Sequence, residues 1–78
     1  MVSVAEMAKE VYEQDLRERL EAGHRNEYVA IEPDSRGFFL RDTFIAAALA
    51  AREAYPDRRS FVIRVGHEAA FHLGAIAS

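Results

Sequence analysis

Two short apolar runs, Tyr28-Val-Ala-Ile-Glu32 and Phe38-Phe-Leu40, flank the cluster Pro33-Asp-Ser-Arg-Gly37, and nothing else in the chain narrows the fold as much. In the first run Tyr28, Ala30 and Glu32 alternate with Val29 and Ile31, the period of two that marks a strand. Pro33 then fixes φ, Asp34 and Ser35 can bond their own backbone, and Gly37 can take positive φ. The segment therefore predicts a β-hairpin with Gly37 as its left-handed residue. Arg41 leads into Asp42-Thr43, either of which can cap a helix. That helix runs on alanine from Ile45 to Tyr55 and stops at Pro56. Phe44, Ile45, Ala48, Leu49 and Arg52 share one of its faces, so Phe44 or Ile45 together with Leu49 are expected to anchor it on the hairpin. From Ser60 to Gly66, Phe61, Ile63 and Val65 alternate with Val62 and Arg64. Both faces of this third strand are apolar around Phe61 to Ile63, which suits a central position. Residues 69–73 are expected to form a fourth strand, hairpinned back through Gly66-His67-Glu68.

Ahead of this unit, Ser3-Val-Ala-Glu6 is a capping box that opens a leading helix over about residues 3–22. Ala5, Ala8, Tyr12, Leu16 and Leu20 fall on one slowly drifting stripe, with Glu13–Arg17 and Asp15–Arg19 paired at i,i+4 on the polar side. Gly23 is expected to cap the end in the left-handed conformation. The stripe has two readings: it covers one face of the sheet, or Tyr12, Leu16 and Leu20 face another chain.

The expected fold class is thus α+β, an N-terminal helix followed by a ββαββ unit over about residues 27–74, mostly antiparallel and packed on the second helix. All 78 residues, half of them hydrophobic, make one domain. A chain this short buries only roughly 60–65% of its unfolded surface, so a staple or a partner often supplies the margin of stability. There is no cysteine to form a disulfide or a thiolate metal site. Association remains, and a homodimer is the expected form. A net charge of −3 and a pI near 5.5 argue against a protein built mainly to neutralise phosphate. The N-terminus lacks the pattern of a secretory leader, and the longest apolar stretch, from Phe44 to Ala51, falls far below the ~20 residues of a membrane span. Cytoplasmic residence without membrane attachment is the simplest expectation.

No constellation reaches a catalytic or metal-binding signature. His67-Glu68-Ala-Ala-Phe-His72 begins and ends like a zinc-protease motif, but its histidines stand at i,i+5 where ligation from a helix needs i,i+4. The hydroxyls of Ser3, Ser35, Thr43 and Ser60 have cap or turn positions and no evident base. Glu32 and Asp34 flank the turn, where solvated carboxylates are common. The chain is therefore expected not to be an enzyme and to carry no cofactor. Arg36, Arg41, Arg58, Arg59 and Arg64 remain as candidates for contact with an anion or an acidic partner, with Arg64 on its strand the most interesting of them.

The run from Tyr28 through Phe44, with Ala-Arg-Glu-Ala-Tyr-Pro and Phe-Val-Ile-Arg-Val-Gly after it, resembles a family of short uncharacterised bacterial and archaeal proteins of unknown function. His24, Asp42, Arg64 and Gly66 are the positions that match its pattern. Some members of that family are encoded beside a small retropepsin-like aspartic protease or in toxin–antitoxin-like pairs, so the resemblance implies a protein partner encoded nearby. It transfers no catalytic residue. The first half also resembles the β-β-α opening of HicB-type antitoxins. Residues and resemblance together lead to a non-enzymatic interaction module that self-associates and binds a partner protein. The alternative is an antitoxin-like nucleic-acid-binding regulator that uses the surface arginines.

Overall fold

In the computed structural model, which describes residues 3–67, Ser3 opens the first helix as the capping box requires. Its Oγ accepts from the Glu6 amide at 3.1 Å, and Glu6 Oε1 accepts from the Ser3 amide at 3.3 Å. The helical run has three parts: α1 (Val4–Val11), a π turn (Tyr12–Leu16) and α2 (Arg17–Gly23). The stripe accounts for the π turn. Ala8, Tyr12, Leu16 and Leu20 recur every four residues, and each step of four advances about 40° round an α-helix. A turn closed by i→i+5 bonds takes in roughly one more residue and rotates the stripe back. The Arg17 amide donates to the Tyr12 carbonyl in that pattern. All four stripe residues are then buried on one side.

The sheet contains β1 (Tyr28–Glu32), β2 (Gly37–Arg41) and β3 (Phe61–Arg64) in the order β2-β1-β3, with both pairings antiparallel. The central place expected for the third strand belongs to β1. Among the described residues β3 pairs with β1 alone, and the fourth strand expected at 69–73 lies outside them. The observed order is therefore α1–π–α2, β1, β2, α3 (Phe44–Ala54), β3.

Two helical layers enclose the sheet. Val29, Ile31, Phe61 and Ile63 face the N-terminal run and pack with Ala8, Val11, Tyr12, Leu16 and Leu20. Burying each of the larger side chains contributes roughly 1.5–3 kcal/mol. Ala30 and Val62 face α3 and pack with Ala47 and Ala51, with Tyr28, Phe39 and Phe44 at the margins. α3 starts at Thr43, whose hydroxyl accepts from the Ala46 amide at 3.1 Å.

Several local details depart from expectation. Gly23 is the last residue of α2 and His24 caps it at φ −133°, while the left-handed residue of this connection is Asn26 at φ 74°. Asp15 does not pair with Arg19; it bonds Arg36 across the layers. In the hairpin the left-handed residue is Arg36 at φ 61°, and Gly37 is the first residue of β2. Gly37 is crowded for a different reason. A Cβ there would stand 3.0 Å from Oη of Tyr55, the residue that caps α3, and 3.1 Å from Ser35 Oγ, so those side chains would have to give by a few tenths of an ångström to admit it.

Candidate interaction surface

The residues expected to associate with another chain are inside this one. Tyr12, Leu16 and Leu20 are only 3%, 2% and 6% exposed and form the core under the N-terminal helices. The stripe follows the first of its two readings, because the sheet's Val29, Ile31 and Ile63 cover it. Tyr12 Oη donates to Glu21 Oε2 at 2.8 Å, and burial together with this bond pushes its pKa up to about 12.

The opposite helix shows the reverse. α3 was expected to anchor through Phe44 or Ile45 with Leu49, yet Ile45 is 68% and Leu49 53% exposed. Ala47 and Ala51 take the inward positions instead. The cause is the sheet face beneath, which already carries Tyr28, Phe39 and Val62 and leaves room only for small helix side chains. Phe44 is half-buried and meets Tyr28 edge-on, with ring centroids 6.3 Å apart. Ile45, Leu49 and Arg52, at i, i+4 and i+7, make one outward stripe, and Glu53 is exposed beside it.

The five arginines do not form one patch. Arg36 ties the hairpin tip to the N-terminal run, through Nη2 to Asp15 Oδ2 at 2.7 Å and Nε to the same oxygen at 2.9 Å. Arg58 reaches Glu32 Oε1 at 3.1 Å and lies over the Tyr55 ring at 5.7 Å. Arg59 is exposed and makes no ion pair among the described residues. Arg41 and Arg64 do come together in register: both are strand partners of Tyr28, one on each side, on the face that carries α3. Arg64 stacks over the Tyr28 ring at 5.6 Å, and Arg41 donates to its neighbour's carbonyl, Leu40 O, at 2.8 Å. The Arg64 Nε is buried without a hydrogen-bond partner among the described residues.

Glu32 is the one buried charged residue among the described residues, 1% exposed, and its carboxylate organises the hairpin from within. Its oxygens accept from the amides of Asp34 and Ser35, each at 2.9 Å, and from Arg58. Burial alone would raise its pKa, but the bonds from the Ser35 hydroxyl, the two amides and Arg58 outweigh it and hold the group at about 2. Glu32 is thus ionised at neutral pH, with its oxygens engaged in holding the turn. His24 Nδ1 lies 3.1 Å from Glu27, and His67 contacts Asn26; His72 is outside the described residues. Among the described residues no group of three or more His, Asp or Glu side chains is placed to hold a metal, and no helix is long and apolar enough to cross a membrane.

Shallow pockets of about 220 and 230 Å3 lie among the described residues. The larger sits against the π turn, and its charges are already matched, Arg17 to Glu13 at 2.7 Å and to Glu21 at 3.5 Å. Among the described residues, Ile45 and Leu49 on the outward stripe of α3 are the most exposed of the large hydrophobic side chains, ahead of Phe38. Sequence reading missed the direction of that stripe, although one signal was present: the spacing Phe44, Ala47, Ala48, Ala51, Tyr55 is itself a helical stripe, of small residues with an aromatic at each end. Comparison with protein-family models, with curated proteins and with solved structures finds no match, so the functional argument rests on this geometry.

Proposed function

We propose that the protein is a non-enzymatic, cytoplasmic interaction module that works by self-association, and that the outer face of α3 is the surface it uses. The observation behind this reading is the exposure of Ile45 and Leu49, two large aliphatic side chains one turn apart on a helix whose inward face is alanine. Adjacent exposed apolar side chains of this kind mark an association site more often than isolated ones do. Ala46 and Ala50 beside the stripe keep the helix surface low, which lets a second helix approach closely. A second copy of the chain is the occupant because a short chain without staples gains most by covering this surface with itself.

The nucleic-acid alternative has less to stand on. Arg36 and Arg58 are already neutralised by Asp15 and Glu32, and Arg59 lies apart from the Arg41–Tyr28–Arg64 row.

Light scattering over a concentration series tests the proposal. A mass that rises from one chain to two, with dissociation in the micromolar range expected for a small interface, supports it. A monomer throughout the millimolar range overturns it, as does a dimer that Leu49→Asp leaves intact.

A further inference from the structure

Ile45 and Leu49 are centred on Ala47, and the charges around α3 are arranged about the same point. Five residues to either side of Ala47 stand Asp42, just ahead of the cap residue Thr43, and Arg52 on the helix itself. Both are exposed, and neither makes an ion pair among the described residues.

We infer, on the reading that α3 is the self-association surface, that two copies pair through antiparallel α3 helices about a two-fold axis passing beside Ala47. Ile45 then lies against the second copy's Leu49, and Leu49 against its Ile45, so both aliphatic side chains are covered. Arg52 meets the second copy's Asp42. The two-fold axis repeats the contact, which gives an opposite-charge pair at each end of a small apolar centre, the usual layout of a polar rim around an apolar core.

Alternative arrangements lose this match. A parallel pairing about a two-fold axis sets Arg52 against Arg52 and Asp42 against Asp42, and it aligns the two helix dipoles unfavourably. Sliding the antiparallel pair by one turn sets Ile45 against Ile45 but leaves Leu49 past the N-terminal end of the second helix, or sets Leu49 against Leu49 with Ile45 opposite Glu53. Only the register centred on Ala47 covers both aliphatic residues and satisfies both ends. Ala46 and Ala50, which flank the outward stripe, are too small to hold the helices apart.

A charge-swap cycle followed by light scattering tests the register. Arg52→Glu and Asp42→Arg are each expected to weaken the dimer about tenfold, since each places like charges together at both ends. The two changes in one chain are expected to restore affinity to within about threefold of wild type, with circular dichroism confirming that every variant is folded. Because the chain has no cysteine, a second measurement is direct: an equimolar mixture of Ile45→Cys and Leu49→Cys chains, oxidised under air, is expected to give the mixed disulfide in excess over either homodisulfide. A monomeric wild type overturns the self-association reading and this inference with it. A dimer that Leu49→Asp abolishes, but in which the double charge swap is as weak as the product of the single changes or Ile45→Cys couples mainly to itself, overturns the register alone.

Discussion

The two helical layers cover the same sheet by opposite means. The N-terminal run puts Val11, Tyr12, Leu16 and Leu20 inward against Val29, Ile31 and Ile63, and its outward side is charged. α3 puts Ala47 and Ala51 inward against Ala30 and Val62, and carries Ile45 and Leu49 outward. The layers also differ in how polar groups support them. On the α3 side the buried carboxylate of Glu32 holds the hairpin turn that brings Gly37 against Tyr55, whereas the core under the N-terminal run is apolar but for the Tyr12 hydroxyl, which bonds Glu21, and the run's outer rim is tied to the hairpin by Arg36 and Asp15. Helix amphipathicity therefore does not by itself say which face of a helix is the core face. The sheet decides, through the size of the side chains it already carries.

Substitutions that break this contrast should rank by how much buried contact they remove. Leu16→Ala opens a cavity under the N-terminal layer and is expected to cost about 3 kcal/mol in urea unfolding. Glu32→Ala leaves the Asp34 and Ser35 amides without acceptors and is expected to cost about 2 kcal/mol. The same carboxylate predicts a pH effect. Its folded pKa of about 2 lies below the ordinary 4.5, so its contribution is complete above pH 4.5 and fades as the pH falls toward 2. A wild-type acid-unfolding curve should show that loss and a Glu32→Gln curve should lack it. Ala47→Leu overfills the α3 side and is expected to cost about 1.5 kcal/mol. Leu49→Ala sharpens the comparison from the other end. Measured on the dilute monomer, it should change stability by less than about 0.5 kcal/mol, although it has the same chemistry as Leu16→Ala. Equal costs for the two leucines would erase the distinction between the layers.

Much of the N-terminal layer was legible in the sequence, because its signals are local. The Ser3–Glu6 box and a stripe of large residues state both where the helix begins and which side is apolar. Even the π turn left a trace in the four-residue spacing. The hairpin was legible in outline, yet its left-handed residue was misplaced by one position. Glycine's freedom of φ suggested Gly37, while what crowds Gly37 is a tyrosine hydroxyl eighteen positions further along together with its neighbour Ser35. On α3 the expected face was right for Phe44 and Ala48, which pack on the sheet, and wrong for Ile45 and Leu49, because Ile and Leu outrank Ala in hydrophobicity and the sequence does not report that Tyr28, Phe39 and Val62 already fill the space beneath. The arginines were the least legible of all. Whether Arg36 or Arg58 is free depends on Asp15 and Glu32, which only the tertiary structure brings to them.

The central place of β1 also bears on how quickly each edge of the sheet can form. Ile31 is seven residues from its β2 partner Phe38 but thirty from its β3 partner Phe61. Closing the longer loop costs about 1.3 kcal/mol more in chain entropy, so the hairpin zips first and β3 joins once α3 has folded back between them. Substitutions in β3 are then expected to speed unfolding while leaving the folding rate nearly unchanged, and those in the hairpin to slow folding itself.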